Sequence, residues 1–144
     1  MSSSDASLRW ASKHIDLVQK IEPRPEETAS KLALSQRNLD RARTALHDGA
    51  LDQAVICAEA AMVNAADAVI ASAGYRIRGK SGSHLARFAY PGLPQPFADD
   101  ALAVSATRRA RNRAQYEELG SVSEALATES VRAAARLVEA AEQG

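Results

Sequence analysis

Residues 107–120 read TRRARNRAQYEELG and crowd four arginines, Arg108, Arg109, Arg111 and Arg113, into less than two helical turns. Like charges this close repel on a helix. A structural helix usually interleaves acids, and here they arrive only at Glu117 and Glu118. Asn112 and Tyr116 are four apart and share a helical face, with Arg109 one turn before Asn112. Arg111 is five residues from Tyr116, about 140° away on an ideal helix, so only its length would let it reach round. A solvated face whose arginines pair with acids of neighbouring helices would show the same spacing. Spacing alone leaves this solvated face and an anion-binding face equally open.

A second stretch, GYRIRGKS at Gly74–Ser81, fits the phosphate-loop pattern G-x-x-x-x-G-K-[ST] letter for letter. That loop works because a buried strand delivers it and a helix begins at its lysine, so backbone N–H groups converge on the phosphates. Here an alanine-rich helix precedes it, Gly74 stands where a helix-ending glycine belongs, and a proline follows Ser81 within ten residues. The stretch therefore reads as a basic loop. Arg76, Arg78 and Lys80 can meet a phosphate as exposed side chains, not as a cradle.

The other chemistry-bearing residues are sparse. His84 follows the basic loop, and a place for it in a cleft would make it a candidate proton carrier near neutral pH. His14, His47 and the single Cys57 lack partners at metal-ligand spacing, so no metal site and no cofactor are expected. No G-x-S-x-G element signals a hydrolase nucleophile. Cys57 excludes an intrachain disulfide and reads as a reduced thiol in an apolar helical run.

These residues need a scaffold of 144 residues, one domain's worth. Eighteen basic and eighteen acidic residues leave zero net charge, which argues against broad non-specific nucleic-acid binding and leaves any such contact to a local patch. Only six residues are aromatic, and alanine supplies much of the apolar total. That composition suits closely packed helices better than sheets. The first residues, MSSSDASLRW, lack the apolar core of a signal peptide. No apolar run approaches membrane-spanning length. A soluble, cytoplasmic protein without membrane contact is expected.

The periodicity predicts an all-α bundle. Residues 1–22 form an N-terminal extension with a weak helical period at Leu8, Ala11, Ile15 and Val18, capped by Asp5 or Ser7. Pro23 and Pro25 break it. A single bundle then fills 23–144. Its first helix opens at Pro25, with Glu26 and Glu27 at its positive end, and stops before Gly49. The next runs over 51–73 with a stripe at Leu51, Val55, Ala58, Met62, Ala65, Val69 and Ala73, a rod of roughly 35 Å. The short break at Gly49 makes the two an antiparallel hairpin. Residues 74–97 hold four of the seven glycines and three of the five prolines and form the long connection, with a short helical piece near His84–Tyr90. Asp99 and Asp100 open a helix reaching about Leu119. Ser121 and Glu124 read as a capping box for the last helix, whose buried face is Val122, Ala125, Leu126, Ala133, Leu137 and Val138. No stretch alternates as a strand does.

Taken together, the hairpin with AVICAEAAMVNAADAVIASAG, the connection GKSGSH, the helix ending in RNRAQY and the final amphipathic helix resemble the HEPN family (higher eukaryotes and prokaryotes nucleotide-binding domain). The resemblance covers residues 28–140. It implies a four-to-five-helix up-and-down bundle, usually a homodimer whose motif helices meet at a cleft. Many members carry R-x(4–6)-H in that penultimate helix, often as R-N-x-x-x-H, and the resemblance implies that active members cleave RNA without metal, the arginine holding the phosphate and the histidine moving the 2′-hydroxyl proton. Arg111 and Asn112 match the first two letters. Tyr116 stands at the histidine position, and a tyrosine, with an ordinary pKa of about 10, is a poor base at neutral pH.

Three functions follow from these residues. The first is a homodimeric binding module for RNA, a nucleotide or a partner protein such as a nucleotidyltransferase, acting through Arg108, Arg111, Asn112 and Tyr116 with help from Arg78 and Lys80. The second is a metal-independent ribonuclease toxin using Arg111 with Tyr116 or His84. The third is a purely structural helical dimer. The missing histidine favours binding over cleavage, and the arginine cluster disfavours the structural dimer.

Overall fold

A computed structural model describes residues 3–117 and 120–144. Helix α1 spans Ser3–Lys13, strand β1 Val18–Lys20, α2 Pro25–His47, α3 Leu51–Ser72, β2 Tyr75–Ile77, α4 Ser83–Phe88, α5 Gln95–Asp99, α6 Ala101–Asn112 and α7 Glu124–Gln143. Arg113–Glu117 continue α6 as one π turn. The protein is all-α apart from the two short strands.

Pro25 begins α2, and Glu26 and Glu27 follow in its first turn. Glu27 pairs with Arg76 at 3.0 Å, whose guanidinium holds the carboxyl below its usual range. Gly49 takes φ +75° after α2, a conformation that favours glycine, and lets the chain double back. Asn38 Nδ2 donates to Asn64 Oδ1 across the hairpin.

Helix α3 is the axis of the bundle. Ala54, Ala58, Ala61, Ala65 and Ala66 have no exposed surface, and Val55 and Met62 lie beside them. Small residues on several sides let α2, α6 and α7 approach closely. With 22 residues and a mean hydropathy of 1.7, α3 is long and apolar enough to cross a membrane, contrary to the sequence expectation. Two-thirds of that stretch (67%) is covered by the other helices, as in the core helix of a bundle.

Helix α7 is capped by Ser123, whose Oγ accepts from the Leu126 N–H, rather than by Ser121. One consequence is a shifted face: Ala127, Ser130, Val131, Ala134 and Ala141 join Ala133, Leu137 and Val138 in the core, while Ala125 is exposed.

The N-terminal extension departs most from expectation. Helix α1 already begins at Ser3, so Asp5 and Ser7 lie inside it, and it ends at Lys13, after which the chain turns into β1. β1 pairs antiparallel with β2, Val18 opposite Ile77 and Lys20 opposite Tyr75. Trp10 is buried edge-on against Tyr75 and Tyr90, with ring centroids 5.4 and 4.8 Å away. Its indole N–H donates to the Ala86 carbonyl of α4 at 2.7 Å. A second small core thus fastens the extension to the connection between α3 and α6.

Candidate functional site

Helix α6 positions the arginines because its other face is committed to the bundle. Val104, Thr107, Ala110 and Ala114 are buried, and Thr107 Oγ1 lies 2.7 Å from Ser130 Oγ of α7. Arg108, Arg109, Arg111 and Arg113 are left on the remaining faces, and they separate. Arg108 turns inward to Glu59 of α3 at 3.5 Å. Glu59 is itself buried. Arg109 is exposed. Arg111 Nη1 donates to Asn112 Oδ1 at 3.1 Å.

The π turn corrects the expected geometry of Arg111 and Tyr116. Its i→i+5 hydrogen bonds widen the turn, so a residue five positions on comes round over the first. The Arg111 Cζ stands 5.6 Å from the Tyr116 ring centroid, within cation–π range. Tyr116 is 70% exposed. Asn112, Arg111 and Tyr116 therefore form one continuous polar-aromatic platform at the end of α6. The expected end of this helix near Leu119, with Glu118, lies outside the described residues.

The basic loop runs through β2 to α4. Its first glycine, Gly74, has φ +91° just after α3, and β2 is the surface ribbon just described. The helix beyond the loop, α4, has six residues. Arg78 Nη1 donates to the Asp16 carbonyl at 3.4 Å, and Lys80 and Ser81 are exposed. Among the described residues no hydrogen bond or ion pair links Arg78 or Lys80 to Arg108, Arg111 or Tyr116.

His84 is half-buried near the start of α4, its ring tilted at 47° against Phe88 with centroids 4.8 Å apart. Its Nδ1 is buried without a partner. Burial first, then the charges of Arg108 and Arg87, push its pKa down to about 4. The imidazole is therefore neutral at pH 7. Arg87 is itself nearly buried and its Nε donates to Asp67 of α3 at 2.7 Å. His84 lines a cleft of about 450 Å3 between α4, α5 and α6, whose walls are chiefly Leu85, Phe88, Leu93, Phe97 and Val104.

The model of the HEPN domain matches residues 32–143. The chain belongs to the HEPN domain family. None of the curated proteins matches it. The HEPN match takes in α3, α4, α6 and α7, and so every predicted site residue, while α1 and β1 precede it. Within this HEPN domain the structure joins Arg111, Asn112 and Tyr116, links Arg108 electrostatically to His84, and leaves Arg78 and Lys80 on a separate loop. Sequence reasoning missed Glu59, Asp67 and Arg87. Their signal was there in part: Glu59 and Asp67, eight apart in the alanine-rich middle of α3, need cationic partners. Among the described residues no group of three His, Cys, Asp or Glu side chains could hold a metal ion.

Proposed function

We propose that this HEPN domain is a binding module for single-stranded RNA or a nucleotide, acting through Arg111, Asn112 and Tyr116. The observation that carries it is the exposed Tyr116 ring beneath the Arg111 guanidinium, 5.6 Å from its centroid. An exposed aromatic face stacks on a base, and a neighbouring guanidinium meets the phosphate. Asn112 Oδ1 accepts a hydrogen bond from the same guanidinium. Arg109 and the 87%-exposed Leu102 lie seven residues apart on α6, one stripe of that helix. Leu102 is an exposed apolar position of the kind that suits pairing of two copies, and light scattering showing a monomer at micromolar concentration would remove the dimer.

Cleavage has one observation in its favour, the neutral His84 imidazole in reach of the Arg108 charge. A base with a pKa near 4 is weak and cannot serve as an acid at pH 7. Binding is therefore the better-supported function. The test is a labelled mixed-sequence RNA incubated in EDTA with the protein, Arg111→Ala and Tyr116→Ala, read for both cleavage and gel shift. A shift without cleavage, weakened in both variants, is expected. Cleavage abolished in Arg111→Ala would make the protein a metal-independent ribonuclease. No shift and no cleavage would direct attention to a partner protein at the same platform.

A further inference from the structure

We propose that the cleft between α4, α5 and α6 binds a small aromatic carboxylate, its ring against Phe88 and Phe97 and its carboxylate at His84. The site is independent of the Arg111–Tyr116 platform. Its volume, about 450 Å3, falls within the range of small-molecule sites. The walls are apolar and partly aromatic, with Phe88 and Phe97 tilted at 6.3 Å between centroids. Leu85, 70% exposed, stands at the rim.

The polar end of the cleft is equally specific. Among the described residues neither nitrogen of His84 has a hydrogen-bond partner, and only Nδ1 is fully enclosed. A half-buried imidazole without partners has unused hydrogen-bonding capacity. The accessible Nε2–H can donate to a carboxylate oxygen. Arg108 and Arg87 set the sign of the field there, since both disfavour a proton on His84. Their acids, Glu59 and Asp67, tether them to α3 but do not appear among the charges acting on the imidazole. An anion entering this corner gains a hydrogen bond and a favourable field. A neutral ligand of the same shape gains only the first.

The experiment uses benzoate as the probe, titrated into the full chain while the histidine ring resonances are followed by NMR. His14 and His47 serve as internal references. Saturable shifts of His84 are expected with a Kd on the order of 1 mM, as befits so small a ligand. Benzamide, isosteric but neutral, should bind at least about tenfold more weakly. Ala101→Trp places a bulky ring on the cleft wall from an exposed position at the start of α6, with little risk to folding. It should weaken benzoate binding by about tenfold or more. Tyr116→Ala should leave it unchanged, whatever it does to RNA binding. Equal affinity for benzamide, indifference to Ala101→Trp, or no saturable shift by about 20 mM benzoate would each overturn the proposal.

Discussion

Replacing His84 by glutamine should flatten the acid sensitivity of the fold. The folded-state pKa, about 4, lies below the usual histidine value of 6.5. The unfolded chain therefore binds the proton first as pH falls. Stability is fully present above pH 6.5 and is lost on the way down towards pH 4. At pH 4.5 the unfolded histidine is almost wholly protonated and the folded one mostly neutral, a linkage of about 2.5 kcal/mol. His84 is only half-buried, and solvent screening reduces this to roughly 1–2 kcal/mol. The assay is urea unfolding of both proteins at pH 7.5 and 4.5, followed by fluorescence of Trp10, the sole tryptophan. Every other ionisable group is common to the two proteins and cancels in the comparison. Wild type should lose roughly 1–2 kcal/mol more than His84→Gln between the two pH values. Parallel pH profiles would refute the burial of His84 beside two arginines. A gap that shrinks only slightly in high salt would assign most of the effect to burial, the first cause, rather than to Arg108 and Arg87.

Other perturbations test separate links. Asp67→Asn leaves the nearly buried Arg87 without its counter-charge and should cost roughly 3 kcal/mol, seen as a Tm fall of about 6–12 °C in a thermal melt. Arg111→Ala and Tyr116→Ala should each weaken RNA binding by about tenfold; because the two side chains stack, the double variant should fall short of the product of the two, measurable as a coupling by filter binding. Trp10→Phe keeps a ring in the Tyr75–Tyr90 cluster but strands the Ala86 carbonyl, a loss of about 1–2 kcal/mol in urea denaturation.

The four long helices were legible because their apolar residues recur at helical spacing and their ends carry strong signals. Pro25 and Gly49 bracket α2, and the alanines of α3 leave no other reading. The ribbon was not. Tyr75 and Ile77 do alternate with Arg76 and Arg78, but over four residues the pattern is too short to stand out from a loop, and its partner β1 lies far away in sequence. The capping serine of α7 was off by two positions, since Ser121 and Ser123 offer similar local chemistry and only the fit of Ala127 and Val131 against the core selects between them. At the candidate site, Arg111, Asn112 and Tyr116 were legible as residue types. Their mutual geometry was not, because ideal-helix angles contain no π turn. The Asp67–Arg87 and Glu59–Arg108 pairs depend on how α4 and α6 dock on α3, which no local pattern encodes.

The Trp10 hydrogen bond to Ala86 joins groups 76 residues apart, and this sets an order of events at the ribosome. At roughly 5–20 residues per second, α1 and β1 wait on the order of 4–15 s before the segment that receives them has even been synthesised. Throughout that interval Trp10, Val18 and their neighbours have nothing to pack against. They are then the last-satisfied piece of the nascent chain, open to whatever captures a short amphipathic helix first. The two acidic and two basic residues of Asp5–Asp16, with His14, keep that waiting segment polar enough to stay in water.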